Sequence, residues 1–118
     1  MTVNTLLAYH YSVKIVRTAI FEKSLKKLGA TASDISKLMT TILANPEAGD
    51  VISGLGGMRK VRFAMAGRGK RGGGRAIYFV VWVQDTTYLM VAYSNAAKDD
   101  LSEEDKAVLR RARMEIYS

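Results

Sequence analysis

Three residues of this chain have the types and spacing for chemistry on an anion: Lys60, Arg62 and Arg75. Lys60 and Arg62 stand two apart in an alternating segment, so a strand there puts both on one face. Arg75 opens the next β-prone run and can lie across from them. Three cations converging on a concave face repel one another unless an anion joins them, and the neighbouring sequence offers no acid. Arg keeps its charge and grips phosphate as a planar fork, whereas Lys is a flexible point charge. The pattern points to a phosphate-bearing ligand.

The rest of the charge agrees. The chain carries 18 Lys and Arg against 11 Asp and Glu, a formal net charge of +7. Seven of those cations (Arg59, Lys60, Arg62, Arg68, Lys70, Arg71, Arg75) fall in one acid-free stretch, which leaves the remaining residues balanced. A concentrated cationic field draws in polyanions. Nucleic acid is the leading partner, because Lys and Arg contacts to phosphate supply most sequence-independent affinity.

Other chemistries fit poorly. Gly67-Arg68-Gly69-Lys70-Arg71-Gly72 matches GxGxxG, but a strand follows it where a dinucleotide site needs a helix. It reads instead as a glycine-rich hairpin loop whose cations can grip phosphate. The chain has no cysteine, which excludes disulfides and thiolate zinc sites and suits a reducing cytoplasm. His10 is the single histidine, and no His/Asp/Glu cluster has ligand spacing, so no metal and no cofactor are expected. Asp99 and Asp100 read as an acidic lead-in to a helix. Tyr78, Phe79 and Trp82 lie in an apolar strand and read as core. No apolar run is long enough to span a membrane, and the N-terminus lacks the basic, then apolar pattern of a secretory signal.

The elements that must position the cations follow from periodicity. A length of 118 residues fits one domain, taken here as 13–118, with 1–12 an extension of uninterpreted structure. Val13, Ile15 and Arg17 begin a short strand. Thr18 can cap a first helix that carries Phe21, Leu25 and Leu28 on one face and ends at Gly29. Thr31 or Ser33 opens a second helix with Ile35, Leu38, Met39, Ile42 and Leu43 at helical spacing, and Pro46 stops it. Met58–Met65 alternates as a strand, Ala66–Gly74 is the loop, and Arg75–Gln84 is a central strand covered on both faces. Asp85-Thr86 turns into a strand over Thr87–Tyr93. Ser102 caps a last helix, with acids in its first turn, Arg110, Arg111 and Arg113 later, and Val108, Ala112 and Ile116 inward. The order β-α-α-β-β-β-α predicts an α+β fold: a helical hairpin and a C-terminal helix packed on a small, mainly antiparallel sheet.

Several of these residues resemble one known family in order. Gly49-Asp50-Val51-Ile52, Gly54-Leu55-Gly56-Gly57-Met58-Arg59-Lys60-Val61-Arg62, Gly69-Lys70-Arg71-Gly72-Gly73 and Arg75-Ala76-Ile77-Tyr78 resemble the RelE/HigB-like toxins of bacterial type II toxin–antitoxin modules, on the phage-derived HigB branch. Tyr93 and Asp100-Leu101 extend the likeness, which spans about residues 13–116. The resemblance implies a small ribonuclease that enters the ribosomal A site and cuts mRNA. It also implies a cognate antitoxin with a helix-turn-helix part, through which alone the complex meets DNA. Carried over by position, Lys60, Arg62 and Arg75 correspond to the catalytic cations. Arg62 and Arg75 would then stabilise the phosphorane and Lys60 would transfer a proton, with Arg59, Arg68, Lys70, Arg71 and Lys98 as further RNA contacts. The chain departs from the family at Asn95-Ala96-Ala97, where relatives carry an ionisable run, and Lys98 is the candidate substitute. That departure predicts slowed cleavage. It also keeps open two other classes: an RNA- or ribosome-binding regulator without catalysis, and a basic module that holds an acidic protein.

Overall fold

A computed structural model describes residues 14–66, 69–94 and 101–117, and of residues 69–72 the backbone alone. Strand β1 (Lys14–Arg17) leads into α1 (Ala19–Leu28) and α2 (Ala32–Ala44). Thr18 caps α1: its hydroxyl oxygen accepts from the Phe21 N–H at 3.2 Å. The same hydroxyl donates to the Leu89 carbonyl at 2.8 Å, which ties the helix start to the sheet. Gly29 ends α1 at φ 76°, a left-handed backbone that glycine adopts without a side-chain clash. Thr31 caps α2, and its backbone N–H donates to the Asp34 carboxylate while the Asp34 N–H donates back to the Thr31 hydroxyl.

The chain then makes β2 (Asp50–Val51), β3 (Arg59–Met65), β4 (Gly69–Val81) and β5 (Thr86–Ser94), followed by α3 (Glu103–Tyr117). The sheet order is β1-β5-β4-β3-β2; only β1 and β5 run parallel. The hairpin α1–α2 covers one face through Phe21, Leu38 and Ile42 against Val61, Phe63, Tyr78 and Leu89. Helix α3 covers part of the other through Leu109, with Ala112 and Ile116, against Leu55, Met58, Ile77, Phe79 and Met90. β4 is the central strand with apolar contacts on both faces, as its sequence predicts.

Four details differ from the sequence expectation. β2 is an added two-residue edge strand, too short to show a period. β4 begins at Gly69, so most of the glycine-rich stretch is strand and not loop, paired with β3 at Gly69 and Gly74 across a bulge. β4 ends at Val81, and Trp82–Gln84 forms a 3-10 turn closed by Asp85 at φ 50°. Trp82 is therefore 60% exposed and is not core. On α3 it is Leu109 that is buried, while Val108 is exposed. His10, Val13, Asp99 and Asp100 lie outside the described residues.

Asp34 gives the fold a pH signature. Its carboxylate accepts from the Thr31 N–H at 2.9 Å and the Ala66 N–H at 3.1 Å, joining α2 to the end of β3. These hydrogen bonds, that to the Thr31 backbone first, hold its pKa below the ordinary value of 3.8. A depressed carboxylate contributes stability above its unfolded pKa and loses it as the pH falls through the folded one. Urea unfolding should show stability falling as the pH drops below about 3.8. Asp34→Asn should be less stable at neutral pH and show a shallower decline; an unchanged decline would remove Asp34 as its source.

Candidate functional site

Strand pairing builds the site. β3 and β4 place Arg62 directly opposite Arg75, and β4 and β5 place Arg75 opposite Tyr93. The three form one row across the sheet on the face that α3 partly covers. Strands lie about 4.8 Å apart, so the row is about 10 Å wide. Lys60 stands two residues from Arg62 on the same face, about 7 Å along the strand. Its row continues through Ile77 to Val91. The register thus puts Lys60, Arg62 and Arg75 on one face, in adjacent rows.

Burial divides the three. Arg62 is exposed, Lys60 is half-buried and Arg75 is only 7% exposed. Arg75 is enclosed because it lies mid-sheet, flanked by a strand on each side. Lys60 lines a cavity of about 330 Å³ with Ile52, Leu101 and Lys106. The expectation of no nearby acid is corrected, since β2 sets Asp50 across from Lys60. Opposite charges facing each other across strands are mildly favourable, whereas the like pair Arg62 and Arg75 is not. Asp50 therefore sits at the Lys60 end of the site.

The outer cations are placed unevenly. Arg59 alternates onto the opposite side of β3, with Val61. Its guanidinium donates to the Gly49 carbonyl at 2.8 Å and lies 3.7 Å from the Glu47 carboxylate, so it clasps the loop before β2. Arg68 and Lys98 lie outside the described residues, as do Asn95, Ala96 and Ala97, and the side chains of Lys70 and Arg71 are not described. Sequence reasoning gave no role to Tyr93 beyond the likeness, nor any to Lys106. The register of β5 supplies the first. The second follows from α3, where Lys106 is one turn ahead of Arg110 on the same helix face.

Chemically, the row offers two guanidinium groups and a phenol, with an ammonium nearby, on one face of the sheet. Such a set suits a phosphodiester better than a metal. Among the described residues no group of His, Cys, Asp and Glu is arranged to hold a metal ion. Nor is any described helix long and apolar enough to cross a membrane.

Comparison with solved structures places the same architecture. The isolated E. coli RelE toxin superposes with a TM-score of 0.55 at 18% identity, covering 86% of this chain and 99% of that one. An arginine-to-alanine double mutant of E. coli RelE in the free state gives 0.53 at 16% identity, covering 74% and 87%. The intact E. coli RelBE toxin–antitoxin complex gives 0.51 at 19% identity, covering 69% of this chain and 94% of the matched chain. Identities this low establish the fold alone. The family rests on the sequence: residues 13–117 match the model of the RelE toxin of the RelE/RelB toxin–antitoxin system. With nearly its whole length matched and its five-stranded sheet sharing their fold, the chain belongs to the RelE toxin family.

Proposed function

We propose that this RelE-family toxin is a metal-independent endoribonuclease that cuts mRNA in the A site of the translating ribosome. The carrying observation is the pairing of Arg62 with Arg75 on the face that also bears Lys60. Cleavage of RNA by its own 2′-hydroxyl passes through a phosphorane whose added charge must be met by fixed donors. Arg62 and Arg75 meet it as paired forks. As the 2′-oxygen bonds to phosphorus its proton passes to solvent water, the P–O5′ bond breaks, and the Lys60 ammonium, with Asp50 opposite it in the register, gives a proton to the departing 5′-oxygen. Arg68, Lys70, Arg71 and Lys98 are assigned to the flanking RNA backbone. The motifs between Gly54 and Tyr78 support the HigB branch. The proposed partner is a cognate antitoxin of helix-turn-helix type, which alone contacts DNA, and the site of action is the cytoplasm.

Single-turnover cleavage on programmed ribosomes tests this. The expected products carry a 2′,3′-cyclic phosphate and a 5′-hydroxyl, and a short adjacent antitoxin gene should restore growth. Intact mRNA after incubation with folded protein would refute the enzymatic reading. Binding to ribosomes without cleavage would favour the regulator, for which the departure at Asn95-Ala96-Ala97 is the motive.

Affinity for RNA should also fall steeply with salt. Each phosphate contact contributes a slope of roughly 0.7–0.9 in log–log terms, so Arg62→Gln and Arg68→Gln should each lower the slope by about that much. A slope unchanged by both would place the binding surface elsewhere.

A further inference from the structure

At the end of the sheet beyond Arg59, a second cavity of about 260 Å³ opens between Val51, Gly56, Phe79, Trp82 and Tyr117. Two of its aromatic walls face solvent: Trp82 is 60% exposed and Tyr117 53%. A cation is built in beside them. The Arg113 guanidinium lies 5.0 Å from the centroid of the Tyr117 ring and 6.0 Å from that of Phe79. Gly56 makes room for it, since a Cβ there would meet the guanidinium carbon at 2.7 Å. The buried Arg113 Nε has no hydrogen-bond partner among the described residues.

Helix α3 borders both this cavity, through Tyr117, and the Lys60 cavity, through Lys106. Lys106, Arg110 and Arg113 follow i, i+4, i+7 along one side of α3. Lys106 lines the cavity that contains Lys60, and Arg110 donates to the Gly54 carbonyl at 3.1 Å. Ile52 borders the first cavity and its neighbour Val51 the second, so the edge around β2 runs from one to the other. Lys106 to Arg113 spans about 10 Å of helix, roughly three stacked nucleotides at 3.4 Å each. A basic track that ends on exposed aromatic faces is the arrangement with which proteins hold single-stranded nucleic acid.

We propose that Trp82 and Tyr117 form a nucleobase-stacking subsite, reached along Lys106, Arg110 and Arg113, that holds an unpaired base of the RNA strand lying in the arginine cleft. The inference rests on the RNA reading above and adds a defined second contact to it. Arg110 and Arg113 hold the backbone there, and the base stacks on the indole. An acidic peptide has complementary charge, but it has no broad π-face to offer Trp82.

Trp82 is the single tryptophan of the chain, so its fluorescence reports on the subsite directly. The full chain is titrated with a short, uncleavable 2′-O-methyl RNA oligonucleotide carrying fluorescein, with anisotropy and indole emission read from parallel samples at low salt. Indole emission should be quenched with the same midpoint as the anisotropy. Trp82→Ala should weaken binding roughly 5- to 150-fold, the range for losing one base–aromatic stack. Trp82→Phe should keep most of the affinity. Val83→Ala, at a neighbour 93% exposed, should leave it unchanged. RNA binding with unaltered indole emission and a neutral Trp82→Ala overturns the subsite and leaves the cleft reading standing. Absence of RNA binding overturns both. Quenching by poly-L-glutamate and not by RNA overturns the subsite in favour of an acidic protein partner.

Discussion

Arg62→Glu should abolish growth arrest and lower single-turnover mRNA cleavage by at least about 100-fold while leaving the protein as stable as before, or slightly more so. The loss follows from removing one of two fixed cations on the developing phosphorane; a single such donor is worth about 2.7–4 kcal/mol. The stability follows from the register. Arg62 faces Arg75 across the β3–β4 pair, a like-charge arrangement that costs free energy in the folded chain. Reversing the exposed partner turns it into an opposite-charge pair worth about 0.2–1 kcal/mol. Activity and stability should therefore move in opposite directions, as expected where a charge is kept for function. Arg75 needs a gentler substitution, because a carboxylate introduced at a position only 7% exposed would disturb folding. Arg75→Lys keeps the charge and removes the fork, so it should fold and still cleave poorly. Thermal unfolding and circular dichroism accompany each rate. A folded Arg62→Glu variant that cleaves at the native rate would refute the assignment.

The legible part of the fold was the part set by local chemistry. Thr18, Gly29, Thr31 and Pro46 delimit the helices through caps and a missing donor, which act within a few residues. The alternation of Val61, Phe63 and Met65 against Lys60 and Arg62 appears unchanged in β3. The less legible part was set by pairing. Gly69–Gly74 looks like a loop because glycine disfavours strands, yet β3 pairs with this stretch. At Gly74 the reason for glycine is space: a Cβ would lie 2.6 Å from the Phe63 ring. Trp82 continues an apolar run in sequence, but the chain leaves the sheet after Val81, which carries the indole to the surface. For the site, the period of two put Lys60 and Arg62 together. Only the register could show that Arg75 is enclosed, that Tyr93 joins its row and that Asp50 faces Lys60.

Gly49→Ala should cost about 3 kcal/mol of stability and disable the site from a distance. A Cβ at this buried position would lie 2.7 Å from the Lys60 carbonyl oxygen and 3.2 Å from the Tyr78 ring. The carbonyl belongs to β3 and cannot swing aside, so the loop must lift. Two anchors would go with it. The Gly49 N–H donates to the Tyr78 hydroxyl at 3.0 Å, and the Gly49 carbonyl accepts from Arg59 at 2.8 Å. Tyr78 is fully buried, its hydroxyl donates to the Pro46 carbonyl at 2.8 Å, and burial raises its pKa above 10.0. Overpacking costs about 1–3 kcal/mol, and each buried polar group left unsatisfied about 1–3 more, partly relieved by water entering the lifted loop. Tyr78→Phe removes the same anchor without the clash and should cost less. The two substitutions should combine to less than their sum, because the second finds the clasp already open. The functional consequence runs through β2: once the loop lifts, Asp50 no longer faces Lys60, and cleavage should fall more than the folded fraction accounts for. Urea unfolding of both single variants and the double variant, with cleavage rates measured where all are folded, tests this. Full additivity, or a rate that simply tracks the folded fraction, would show that the clasp supports the fold without positioning Lys60.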